Sequence, residues 1–137
     1  MAFLWDSVGL LQGSRAWTDD DQEALRQWGA QYLRWLLDSE HGRDEAGQKN
    51  NHGTWYDVQV LALALFVGDD TAARSAAAGA ANRLDSQLDE DGSQPHELAR
   101  TRSLSYAVMN LNGWFDLADL CRHVDVDLWA HEGAGGR

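Results

Sequence analysis

Apolar residues along this chain recur at three- and four-residue steps, the period of helices, and rarely alternate as strands require. Leu25, Trp28, Tyr32, Trp35 and Leu36 form one such stripe. Thr18 followed by Asp21 spells a capping box, and Asp19, Asp20 and Asp21 suit the positive end of a helix dipole. Together they predict an amphipathic helix over 19–38. The stretch from His41 to Gly53 is polar and broken by Gly42 and Gly47, which predicts loop or short helix. Trp55, Val58, Leu61, Ala62, Leu65 and Phe66 leave no polar face over 54–67, the pattern of a helix buried between other elements. Gly68-Asp69-Asp70 ends that helix and caps the next, whose stripe is Ala73, Ala76, Ala77, Ala80, Leu84 and Leu88. Asp89 to Pro95 is a turn or loop. Leu104, Val108 and Leu111 predict a second buried helix, with Ser103 as N-cap, and Leu117, Leu120 and Val124 a further helix on the outside.

Buried helices near 54–67 and 103–112 thus alternate with outer ones near 19–38, 71–88 and 114–124. This is an all-α plan of consecutive helical hairpins, as in an α/α toroid or a solenoid. No repeated motif supports a tandem repeat. The expectation is one domain over 1–132, followed by a flexible Gly-rich tail over 133–137.

Composition narrows the function. A chain of 137 residues with 44% hydrophobic and 24% charged residues is ordinary for a soluble globular domain. Seven Trp against three Phe is unusual, and most of these Trp are expected in the core. The net charge of −11 argues against nucleic acid, which needs clustered Lys and Arg. It also means that an acidic ligand must be met in a local basic or amide-rich cleft. The single Cys121 excludes an internal disulfide and reads as a small core residue. The longest apolar run, Val58 to Val67, is too short to span a bilayer, so no membrane is expected. Met1 to Leu11 holds Asp6 and lacks both a basic start and a cleavage site, so it is not read as a secretory signal.

Two polar segments precede the two buried helices: Gln48-Lys49-Asn50-Asn51-His52-Gly53 and Gly92-Ser93-Gln94-Pro95-His96-Glu97. Equivalent ends of successive inner helices lie side by side, which brings His52 within reach of Arg100, Arg102 and Tyr106. The grouping suits elimination from a uronic acid polymer. That reaction removes the C5 proton next to a carboxylate and expels the C4 oxygen. An Asn, an Arg and a His can neutralise the carboxylate as the enediolate develops. A His or Tyr takes the proton, and a Tyr can return one to the leaving oxygen. On a continuous helix Arg102 shares a face with Tyr106 and Arg100 does not. If the helix begins near Ser103, Arg100 lies in the entry loop and that objection disappears. Glu97 or Asp91 would be surface partners for either arginine.

The stretches Asn50 to Trp55 and Asp91 to Tyr106 resemble the two signatures of the alginate lyase superfamily, whose members act on alginate and on other polyuronates such as glucuronan. The resemblance continues weakly through Trp17 to Gly42 and Asn110 to Trp129. It implies an α/α toroid, β-elimination without a redox cofactor, and an acidic polysaccharide as partner; no cofactor is expected, and no ligand spacing among His52, His96 and the acidic residues argues for a metal. It implies that Asn51 neutralises the carboxylate, that His52 assists or acts as base, and that Tyr106 serves as base and acid beside an Arg. Arg100 is preferred because it follows Glu97-Leu98-Ala99, with Arg102 the alternative. Asn50, Trp55, Gln94, His96 and Arg102 are the expected substrate-binding residues, Trp55 as a sugar platform. The family implies a periplasmic or secreted protein, while the chain itself leaves the cytoplasm open. Family members are normally much longer, so the chain is expected to be an incomplete toroid with an exposed edge available for homo-oligomer formation. The alternative reading is an inactive truncated helical module that binds carbohydrate or a protein partner.

Overall fold

A computed structural model describes residues 2–133, and the expected tail lies outside them from residue 134 onward. The elements are α1 (Ala2–Val8), α2 (Asp19–Asp38), α3 (Glu40–Ala46), α4 (Asn51–Val67), α5 (Asp70–Gln87), α6 (Pro95–Leu98) and α7 (Ser103–Cys121), with short 3-10 turns at Gly9–Leu11, Arg122–Val124 and Leu128–Ala130. Among the described residues there is no strand. The fold is all-α, consecutive hairpins forming an incomplete α/α toroid.

Local chemistry explains the boundaries. Thr18 and Asp21 form the capping box in full, so α2 starts where the sequence says. Gly68, in the left-handed region at φ 78°, ends α4, and the Asp69 side chain caps α5 by accepting from Ala72 N–H. The start of α4 departs from the sequence expectation: Asn51, His52 and Gly53 lie in its first turn rather than in the loop. Asn50 extends the helix by accepting from His52 N–H at 3.1 Å, and Gln87 fixes the Asn50 carbonyl at 3.0 Å.

Helix α4 is the centre of the molecule, with α1, α2, α5 and α7 around it. Val58, Leu61, Leu63 and Ala64 on it are fully buried. Ala73, Ala77 and Ala80 give α5 a smooth face that approaches α4 closely. Gln87 ties three helices together: its Oε1 accepts from Thr54, Asn110 and Trp114 at 3.0, 2.9 and 3.3 Å. These bonds join α5 to α4 and α7 through one buried side chain, while the buried Asn110 Oδ1 has no hydrogen-bond partner among the described residues.

Four further expectations fail. The two helices expected over 103–124 are one, because Gly113 does not break α7 but lets Thr54 and Trp55 pack against its backbone. A Cβ there would meet their side chains at 3.1 and 3.3 Å. Ser103 is the first helical residue and Arg102 precedes it, with no side-chain cap. Leu104, Val108 and Leu111, expected to be buried, are 76, 49 and 47% exposed. They lie on a face of α7 that no described element covers, which is why an apolar stripe misleads here. Nor are most Trp residues in the core. Trp5 and Trp114 are buried, whereas Trp28, Trp35 and Trp129 are about half-exposed. Trp28, Tyr32 and Trp35 instead stack along α2 with centroid spacings of 5.6 and 5.9 Å.

Candidate active site

The two polar signatures meet at a buried carboxylate. Glu97 on α6 is 1% exposed. Both of its oxygens accept from Asn51 Nδ2, each at 3.0 Å, and Oε1 also accepts from the Asn51 backbone N–H. A buried charge needs such partners, and Arg100 supplies a counter-charge with Nη1 3.7 Å from Oε2. The Arg100 guanidinium carbon in turn lies 3.5 Å from the centroid of the Tyr106 ring. Asn51, Arg100 and Tyr106 are therefore linked through Glu97 across fifty residues of sequence. Because α7 begins at Ser103, Arg100 sits in the preceding turn and folds back over the ring, and Arg102 is exposed with no ion pair among the described residues.

His52 is on the exposed side of the same turn as Asn51. Its Nδ1 pairs with Glu45 on α3 at 3.0 Å, both side chains about half-exposed. A groove of ≈ 380 Å³ opens beside it, lined by Tyr32, Trp35, His41, Glu45, Asn51, His52 and Trp55 among others. Arg100 and Tyr106 do not line this groove. Asn51 is the joint between the two, touching Glu97 on one side and the groove on the other.

The remaining candidates are placed less simply. The Asn50 side chain caps α4. Trp55 donates its indole N–H to the Met109 carbonyl at 3.3 Å and packs on Gly113, so it bridges α4 and α7 as well as lining the groove. Gln94 accepts from Asn110 at 3.0 Å and donates to the Ala107 carbonyl at 3.3 Å, fastening the second polar segment to α7. His96 is exposed and has no hydrogen bond or ion pair among the described residues. No three metal-type side chains converge among the described residues, and none of their helices is long and apolar enough to cross a membrane.

Sequence reasoning missed two supports. The sequence places Glu97 on the surface as a partner of Arg100 or Arg102, because a Glu in the first turn after a helix-starting Pro is ordinarily a solvated dipole residue. Arg83 on α5 was not singled out. It pairs with Asp57 and donates to the Ala46 and Gln48 carbonyls, both at 2.9 Å. That clamp fixes the turn just before Asn51. A Cβ on Gly53 would collide with the Arg83 guanidinium and the Gln48 carbonyl, so the first turn of α4 requires glycine there. Burial holds the Asp57 carboxyl above its usual range, against the opposing pull of Arg83.

Comparison with known proteins gives one consistent result. The family described as alginate lyase matches residues 3–137. A crystal structure of an alginate lyase from Bacteroides ovatus superposes with a TM-score of 0.94 and 31% identity, covering 99% of this chain and 36% of that one. The chain therefore spans about a third of the length of that relative. No curated protein matches.

Proposed function

The chain belongs to the alginate lyase family, and from that premise we propose that it carries the catalytic group of a polysaccharide lyase that cleaves a uronic acid polymer by β-elimination. The observation that carries this reading is the contact chain from Asn51 through Glu97 and Arg100 to Tyr106, with His52 open to the groove on the adjoining position.

In this reading one Nδ2 hydrogen of Asn51 stays on Glu97 and the other donates to the carboxylate next to C5, stabilising the enediolate as its charge develops. Asn51 is 4% exposed and its backbone is held at both ends of the turn, so little reorganisation accompanies the reaction. His52, held by Glu45, assists at the carboxylate or takes the C5 proton. Tyr106 exchanges a proton with C5 or with the departing C4 oxygen. Arg100 sets positive charge against the Tyr106 ring. The family's substrate is acidic while the protein carries −11, so recognition rests on this local group rather than on the field of the whole molecule.

The test is to incubate the chain with polymannuronate, polyguluronate and glucuronan and to follow the ultraviolet absorbance of the unsaturated product. At least one polymer gives a rise, and His52→Ala and Tyr106→Phe each lower kcat by about 10²- to 10⁴-fold. A rise that survives both substitutions defeats the residue assignment. Retained polymer binding with no rise on any polymer would support a non-catalytic carbohydrate-binding module instead.

A further inference from the structure

We propose that Glu97 is a positioning residue, one that fixes the orientation of the Asn51 amide and the seat of Arg100, and so sets the turnover rate without touching the substrate. The proposal rests on the lyase reading above.

The geometry leaves Glu97 little other role. At 1% exposure it does not reach the groove, so it neither meets a polymer nor exchanges protons with one. Its two oxygens are occupied by the backbone N–H and side-chain amide of Asn51 and by the approach of Arg100.

A carboxylate only accepts hydrogen bonds. It therefore dictates that Nδ2 of Asn51, not Oδ1, is the atom beside Glu97 and removes the flipped orientation, which would set oxygen against oxygen. One Nδ2 hydrogen can serve both Glu97 oxygens, so the second N–H is presented to the substrate carboxylate in one fixed orientation. The same carboxylate gives Arg100 its counter-charge, and Arg100 is thereby held over Tyr106. One buried group thus sets the position of two groups, one from each signature.

A glutamine at position 97 has nearly the same shape but only one acceptor oxygen. Its NH₂ would oppose either the Asn51 amide or the Arg100 guanidinium. Displacement of a reacting group by about 1 Å costs on the order of 10²-fold in rate.

The experiment compares Glu97→Gln, Asn51→Ala and the double variant on the most active polymer. Glu97→Gln lowers kcat by about 10- to 100-fold with KM within about threefold, and the double variant falls within about threefold of Asn51→Ala, because groups acting as a unit are not additive. Wild-type kcat in Glu97→Gln, or losses that multiply in the double variant, overturns the proposal and leaves the lyase reading intact. If Glu97→Gln loses its helical circular dichroism, Glu97→Asp, which keeps the charge one methylene further back, replaces it in the same comparison. If the wild type cleaves no polymer, the lyase reading falls, and NMR of the Asn51 side-chain amide decides the positioning claim by itself. Slow exchange of that amide with water in the wild type, and fast exchange in the variant, supports it. Equal exchange in both overturns it.

Discussion

The Arg100 guanidinium carbon lies over the Tyr106 ring, 3.5 Å from its centroid, although the two are six residues apart and would not share a face on a continuous helix. The contact exists because α7 begins only at Ser103, which leaves Arg100 in the turn between α6 and α7.

That stack separates the two arginines. Arg100→Lys keeps the charge but loses the planar fork, so it lowers kcat by about tenfold or more. Arg102→Ala, at an exposed position, leaves kcat within about threefold, and any effect falls on KM. Initial rates from product absorbance check both. Equal losses from the two variants would show that the stack is not what distinguishes them.

The sequence displays the helices well and the layers less well, for a physical reason. Periodicity and caps are local, so α2, with its Thr18–Asp21 box, and the Gly68–Asp69 junction are readable from a few neighbours. Exposure depends on what else is present. Leu104, Val108 and Leu111 have the spacing of a buried stripe, yet no described element lies over them. The site shows the same division. Asn51, His52, Arg100 and Tyr106 are visible as residue types in a resembling motif. Glu97 is not, because its importance lies in burial and in partners 46 positions away. Arg83 is hidden for the same reason, its partners being Asp57 and two backbone carbonyls on a distant turn.

The Arg83–Asp57 pair gives a stability prediction with a pH signature. Its side chains are 15 and 11% exposed, so removing one partner leaves a charge with little access to water. Arg83→Met destabilises by about 3 kcal/mol near neutral pH. Burial already raises the Asp57 carboxyl above 3.8, and loss of Arg83 removes the opposing influence and raises it further. A folded state that holds this proton more tightly than the unfolded chain loses stability as pH rises through the interval above 3.8. The penalty in Arg83→Met is therefore smallest in acid and grows toward neutrality. Urea unfolding at the two pH values measures it, and a penalty that shrinks as pH rises would contradict the account.

Cys121 is fully buried, and burial, aided by the nearby charge of Asp57, pushes its thiol up to about 12. Thiolate is therefore scarce at ordinary pH, and the sulfur is shielded. Ellman's reagent leaves the folded protein unlabelled at mildly alkaline pH and reacts fully once urea unfolds it. Rapid labelling of the folded chain would mean that the α7 C-terminal end opens readily.

The uncovered face of α7 is testable by truncation. Leu104, Val108 and Leu111 follow one another at steps of four and three, the seam spacing of a helix that packs on another helix, and Phe115, four further on, meets the Trp129 ring edge-on at 5.0 Å. Leu61 is fully buried, so Leu61→Ala costs about 2–5 kcal/mol, from lost burial and the cavity left behind. Leu111 is 47% exposed, so Leu111→Ala costs under about 0.5 kcal/mol if the chain is alone in solution. A cost well above that means that another surface covers the seam. Sedimentation over a range of concentrations then identifies the cover: a mass that rises with concentration and falls in Leu111→Glu marks a second copy of this chain. A mass that stays monomeric, together with a small Leu111→Ala cost, marks the seam as open.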